Sequence, residues 1–398
     1  MPRIMPFKGE TMQKTIYLDN SATTPVFEVV ALHMLDAMQN CYFNPSAAYG
    51  PAVKVERELQ ACRETLRKAA GAQGYEVIFT SGGTEANNLA ILGVLERQRL
   101  LGTCCFSAVE HPAVREPMRA AEGLGHQVRM LPVDAQGVLD LERCAAMLDA
   151  GVSLISCMHV CNETGAVQPI EALAALRNQR CPSALLHVDG VQGFLRAPLS
   201  VGRIGVDLYT ISGHKIHGPK GIGALLARKG IKLHPQLLGG GQEGGLRSGT
   251  ENVPGILGLQ TAAETLRAMP DLDQTLRSNK MRLLHRVMAG EPQTKINGPD
   301  PESPQAAPHI LNLSLPGVRG EVLLHALEAV GVYVSTGSAC SARKQRHGPA
   351  LEAMGITGDR LEGAIRISLS PLNTSEEMGL AADAILAAHA QLKGFKRR

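Results

Sequence analysis

YEVIFTSGGTEANNLAILGVLERQ, residues 75–98, passes from an apolar run through Ser-Gly-Gly-Thr into a helical pattern. YEVIFT reads as a strand and EANNLAILGVLERQ as a helix, so the stretch is strand, glycine turn and helix in the order of an α/β sheet. Immediately before it, Val55, Leu59, Cys62, Leu66 and Ala69 recur at helical steps and Gly71 stands just past the end, which predicts a helix over 53–70. After it the alternation continues. CCFSAV (104–109), QVRMLPV (127–133), SLISCMHV (153–160), ALLHVD (184–189), DLYTIS (207–212) and GALLAR (223–228) read as strands, with helical patterns near 112–124, 138–150 and 169–180. Near-continuous apolar strands suit a parallel sheet covered on both faces.

Beyond about residue 255 the rhythm changes to long helical patterns over 255–290, the Pro-rich INGPDPESPQAAP (296–308), strand HILNLSL, helix GEVLLHALEAVG, strand AIRISLS and a helix over 375–393. The expectation is an α/β chain with a large domain over 15–258, its mainly parallel sheet flanked by helices, and a smaller α+β domain formed by 1–14 and 259–398. Neither an internal repeat nor a low-complexity segment interrupts this order.

The 398 residues are 44% hydrophobic and 19% charged, with 40 Lys+Arg against 37 Asp+Glu. That balance argues against disorder and against a strongly basic nucleic-acid surface, and 3% aromatics without Trp argue against base-stacking platforms. The nine cysteines include no CxxC pair, so neither a disulfide framework nor a zinc ribbon is expected, and no metal site is. MPRIMPFKGETMQK lacks the apolar core of a secretory signal, and no stretch approaches the roughly 18 apolar residues of a membrane span. A cytoplasmic protein is expected, with no membrane or direct nucleic-acid partner.

SGHKIHGPKG (212–221) places Ser212, His214 and Lys215 on a glycine-rich turn after a buried strand. A lysine amine there is poorly solvated, which lowers its pKa and suits it to Schiff-base chemistry. HVDGVQGF (187–194) ends an apolar strand on Asp189, a carboxylate in need of a cation. Amine and carboxylate at neighbouring strand ends are what pyridoxal phosphate (PLP) requires, one for its aldehyde and one for its ring nitrogen. Gly82, Gly83 and Thr84 open a helix, whose free N–H groups favour a phosphate. His111 and Asn162 follow two further strands, on the edge where open α/β sheets bind ligands.

With YLDNSATTP (17–25), NPS (44–46), FTSGGTEANNLAI (79–91), EHPAV (110–114), HVCNETG (159–165), HVDGVQ (187–192), SGHKIHGPKGIG (212–223), RSGTENV (247–253) and GSACSA (337–342), the chain resembles the PLP-dependent cysteine desulfurases of the NifS/IscS type, relatives of the class V aminotransferases. The resemblance is collinear over about 15–395. It implies the fold type I of PLP-dependent transferases and conversion of L-cysteine to L-alanine.

By resemblance, Lys215 would hold PLP covalently, His111 would stack on its ring, Asp189 would bind the ring nitrogen and Gln192 the ring hydroxyl. Gly83, Thr84, Ser212 and His214 would hold the phosphate, with Thr250 reaching across from a second subunit of a homodimer. Asn162 and Arg366 would hold the substrate carboxylate, a task suited to the planar guanidinium fork. Lys215 would also remove the Cα proton. Cys340 would attack the substrate sulfur and keep it as a persulfide for an acceptor, such as an iron–sulfur scaffold or a tRNA-thiolation enzyme, while His111 could handle the thiol proton. The alternatives are another class V aminotransferase, a selenocysteine lyase, or a PLP-binding scaffold in a sulfur-transfer complex. Four places depart from the family pattern: Tyr49 stands where His is usual, Gly244 where Arg is usual, Cys161 replaces an Asn, and ARKQRHGPAL follows Cys340. The basic Arg343, Lys344, Arg346 and His347 suggest an acidic partner or a charged small acceptor.

Overall fold

The runs at 104–109, 153–160, 184–189 and 207–212 become strands buried on both faces, whereas QVRMLPV becomes an edge strand whose Met130 is 56% exposed. The structure is a computed structural model and describes residues 15–97, 101–336 and 348–395. After a short β1 (Ile16–Tyr17) come β2 (Tyr75–Thr80), β3 (Thr103–Ser107), β4 (Gln127–Leu131), β5 (Val152–Met158), β6 (Leu185–Asp189), β7 (Leu208–Ser212) and β8 (Gly223–Arg228). The last seven form one sheet in the order β2-β8-β7-β6-β5-β3-β4. Neighbours pair in parallel except at β8, which is antiparallel to both β2 and β7. The exception has a simple cause. A parallel return needs a crossover of about a dozen residues or more, usually helical, and only residues 213–222 separate β7 from β8. Lys215 stands on that short connection.

Helices cover both faces. Gly50–Ala70 buries Val55, Leu59, Cys62, Leu66 and Ala70, has Pro near its start, and ends at Gly71 in the left-handed conformation (φ 61°). It packs against the helix Val253–Ala268. The helix Gly83–Leu95 lies on the opposite face, where Leu89, Ile91, Val94 and Leu95 join Cys104, Phe106, Leu154, Leu208 and Leu225. The helical pattern expected over 255–290 is two helices, Val253–Ala268 and Leu272–Gly290. Met269, preceding Pro270, is extended (ψ 118°), and Asp271 is left-handed (φ 49°), so the chain turns there.

The remaining strands are β9 (Lys295–Ile296), β10 (Ile310–Ser314), β11 (Val332–Tyr333) and β12 (Ala364–Ser368). β12-β10-β9 form an antiparallel sheet, while β1 pairs in parallel with β11. Ile16 and Leu18 therefore pack with Leu283, Leu313, Val332, Ile367 and Ile385 in a second core. Residues 19–24 leave that core and run to the C-terminal edge of the large sheet, where Thr24 N bonds the carbonyl of His214 at 2.9 Å. Among the described residues no helix is long and apolar enough to cross a membrane.

Candidate active site

Met158, Asp189 and Thr210 stand side by side near the ends of β5, β6 and β7, which opens these strands onto one edge. Asp189 is 5% exposed. One carboxylate oxygen accepts from Asn87 Nδ2 at 2.7 Å and the other from the Val191 N–H at 2.9 Å. Among the described residues no cationic side chain pairs with it, so a buried carboxylate is held by neutral donors alone. Such a group is stabilised by a cation delivered from outside the chain.

On the turn after β7, Lys215 is half-buried and its Nζ donates to the carbonyls of Ser21 (2.6 Å) and Ala22 (2.7 Å). Gln192 Nε2 donates to that same Ser21 oxygen at 2.9 Å, while Gln192 Oε1 accepts from Arg196 Nη2 at 3.0 Å. His214 Nδ1 lies 3.1 Å from Thr23 Oγ1, and burial together with the Lys215 charge pushes the His214 pKa down to about 4. This imidazole is neutral at pH 7.

A small glycine-lined cup lies at the end of β7, against Ser212 and Val191. Gly82 (φ 154°, ψ −176°) adopts a conformation almost restricted to glycine, and the helix from Gly83 presents its first N–H groups there. A Cβ on Gly83 would lie 2.7 Å from Val191 Cγ2 and 3.6 Å from Ser212 Cβ, so the backbone approaches both closely. Ser212 Oγ is buried without a hydrogen-bond partner, whereas Thr84 is exposed at the helix start. An anion in this cup would give the hydroxyl its missing partner.

His111 caps the helix Pro112–Gly123, its Nδ1 accepting from the Ala113 N–H at 3.1 Å. A neutral ring accepting at Nδ1 carries its proton on Nε2. Burial lowers the pKa of His111, the Asp189 charge opposes this, and Lys215 adds to it. Its neighbour Glu110 accepts from Ser107 Oγ and from the Met158 N–H. Burial, then the Asp189 charge, pushes this carboxyl up to about 8, so it is largely protonated at neutral pH.

Arg366 comes from β12, in the second sheet, and is 3% exposed. Its guanidinium donates to the carbonyl of Asn162 (2.9 Å) and to Asp19 Oδ1 (2.7 Å). The Asn162 side chain is half-buried. Glu163, next in the chain, is buried, and burial pushes its pKa up to about 7.

The structure thus gathers Lys215, Asp189, Gln192, Ser212, His214, His111, Gly83 and Arg366 around one sheet edge and the segment 19–24. Thr250 is exposed, with no side-chain bond to these residues. Cys340, Arg343, Lys344, Arg346 and His347 lie outside the described residues. The other eight cysteines are free thiols, and burial is the first cause of a raised pKa in each. Sequence reading missed Asn87, Glu110 and the organising role of Asp19–Thr24. Asn87 did carry a signal, as an amide inside the apolar run of a buried helix. The acceptors in 19–24 are main-chain carbonyls, which no residue type announces.

The residues fit pyridoxal phosphate on three observations: an orphaned Ser212 hydroxyl beside a glycine cup, a buried carboxylate lacking a cation, and an amine on the next strand's turn. The family model for class V aminotransferases matches residues 16–380. A cysteine desulfurase IscS of Methanosarcina thermophila is 37% identical over 370 residues, covering 92% of this chain and 90% of the relative. Among solved structures, a NifS-like protein superposes with a TM-score of 0.88 at 34% identity, covering 95% of this chain and 100% of that one. SspA in complex with cysteine gives a TM-score of 0.79 at 30% identity, covering 90% of this chain and 100% of that one. The resemblance read from the motifs, and the α/β fold it implied, are borne out.

Proposed function

The chain belongs to the class V aminotransferase family, on its cysteine desulfurase branch, and we propose that it converts L-cysteine to L-alanine while passing sulfur through a persulfide on Cys340. The observation that carries this reading is the buried Asp189, without a cation of its own, on the edge where Lys215 stands. PLP, when bound, supplies a covalent attachment point and an electron sink for the pair left at the substrate Cα.

The chain's own groups do the rest. Asp189, backed by Asn87, would keep the ring nitrogen protonated, and Gln192 would offer its amide to the ring hydroxyl. The cup at Gly83 and Thr84, with Ser212 and His214, holds the phosphate. His111, neutral and protonated on Nε2, would lie against the ring and could exchange a proton with the substrate thiol. Arg366 and Asn162 hold the substrate carboxylate, as a planar fork holds two oxygens. Lys215 would anchor the cofactor, and its Nζ, released from that attachment, would take the Cα proton. The Cys340 thiolate then attacks the substrate sulfur. The S–S bond forms as the C–S bond breaks, the carbon side keeps the electron pair, and protonation yields alanine. The raised pKa values of the eight described cysteines support a nucleophile elsewhere in the chain.

The working unit proposed is a homodimer with Thr250 completing the partner's phosphate site. Supporting this, the helix Glu28–Asn40 leaves Val29, Leu32, Leu35 and Met38 exposed, and Tyr42 beyond it is 70% exposed. The acceptor proposed is a sulfur-handling protein of the cytoplasm, an iron–sulfur scaffold or a tRNA-thiolation enzyme, with the basic residues 343–347 favouring an acidic surface.

The deciding experiment measures alanine and sulfide release from L-cysteine with a reductant for wild type, Cys340→Ala and Lys215→Ala, together with the visible spectrum. Cys340→Ala should keep the bound-cofactor band and lose sulfide release, and Lys215→Ala should lose that band. Wild-type turnover by Cys340→Ala would overturn the persulfide mechanism in favour of lyase or transaminase chemistry.

A further inference from the structure

Arg196 is 9% exposed, on the turn that follows β6. Its Nη2 donates to the carbonyl of Val191 (3.1 Å) and to Gln192 Oε1 (3.0 Å), while its Nε is buried with no partner. Among the described residues no carboxylate pairs with this guanidinium. Lys280 is fully buried, with its Nζ on the carbonyl of Ala307 at 2.8 Å, and both ring nitrogens of the buried His309 lack partners. Burial pushes the Arg196 pKa down to about 9, and burial, then the charges of Arg196 and Lys280, holds His309 neutral. A buried cation with unmet donors is costly unless something anionic reaches it.

Beside Arg196 lies a cavity of about 310 Å³, walled by Phe194, Leu199, Tyr209, Leu272 and Leu276. Its walls are mostly apolar and offer water few partners. Asp273 also lines it, but its carboxylate is half-exposed and accepts from Arg277 Nε at 2.8 Å. An open cleft with mainly apolar walls and one incompletely bonded guanidinium has the character of a small-molecule site.

We propose that this cavity binds a small carboxylate with an apolar body, the carboxylate on Arg196 and the hydrocarbon part against Phe194, Leu199, Leu272 and Leu276. A bare inorganic anion would use the guanidinium and leave the walls idle. A cationic or neutral molecule of the same shape would leave the guanidinium unmet. Arg196 touches the site assigned to catalysis through Gln192 Oε1, but no residue lining this cavity is given a role there, and the proposal stands whatever reaction that site performs.

The test is calorimetric titration of the cofactor-loaded enzyme with hexanoate, with hexylammonium and sodium chloride as the other arms. Hexanoate should bind saturably, hexylammonium should not, and Arg196→Met should weaken hexanoate at least tenfold. Ala69→Leu, which narrows the cavity wall without touching the guanidinium, should weaken it similarly and decides the matter if Arg196→Met does not fold. No heat with hexanoate, or equal binding of hexylammonium, overturns the proposal. So does chloride displacing hexanoate while Ala69→Leu binds like wild type, which would leave an inorganic anion site only.

Discussion

Gln192 and Lys215 donate to one acceptor, the carbonyl oxygen of Ser21, at 2.9 and 2.6 Å. A carbonyl has two lone pairs, and here both are used. The segment 19–24 thus ties the turn after β6 to the turn after β7, and its Asp19 meets Arg366 from the second sheet at 2.7 Å. Three parts of the chain converge on one short strip of backbone.

Asn87 is the side-chain donor to Asp189. Asn87→Ala should leave the fold intact and weaken retention of PLP about tenfold, the worth of one charge-assisted hydrogen bond. Equilibrium dialysis of the reconstituted variant measures this; retention equal to wild type would show that the Val191 N–H suffices.

Gly83 has no room for a side chain, because a Cβ would stand 2.7 Å from Val191 Cγ2. Gly83→Ala should cost about 1–3 kcal/mol of stability and reduce phosphate affinity. The double variant Gly83→Ala/Val191→Ala should recover most of the stability in chemical denaturation. Equal loss in single and double variants would place the strain elsewhere.

Arg366→Lys keeps the charge and loses the planar fork. KM for L-cysteine should rise on the order of tenfold or more, while the cofactor's spectrum stays as in wild type, because forked recognition of a carboxylate is lost with the guanidinium. Unchanged KM would remove Arg366 from the substrate site.

Glu110 is held protonated by burial, its pKa raised to about 8. A raised carboxyl favours the folded state below the unfolded value of about 4.3, and this contribution is lost as pH rises through 8. Unfolding free energy should therefore fall between pH 5 and pH 8, and Glu110→Gln, which cannot ionise, should flatten that slope by an amount on the order of 1–3 kcal/mol. Urea denaturation across this range tests it; identical slopes would show that Glu110 does not titrate there.

Much of this molecule is legible in its sequence, and what is legible there is local. Tyr75–Leu95 reads as strand, glycine turn and helix because apolar periodicity, helix starts and glycine turns act over a few residues. The same locality put Asp189 and Lys215 at strand ends, and the collinear motifs named the family. The antiparallel β8 and the break at Met269–Asp271 follow from connection length and from Pro270, yet continuous apolar patterning hid both.

Tertiary structure alone decided what those residues meet. Lys215 finds its acceptor 194 positions away, Asn87 reaches Asp189 across 102, and Arg366 reaches Asp19 across 347. The Ser21 carbonyl and the cavity beside Arg196 belong to no motif, since a backbone oxygen exists at every residue and a cavity is a property of walls from several elements. Short-range sterics and hydrophobic period write the elements and the reactive side chains into the sequence. Which buried donor is satisfied, which carboxylate stays uncompensated and which guanidinium faces empty space are set only when distant segments pack, because desolvation and hydrogen-bond geometry depend on every neighbour at once.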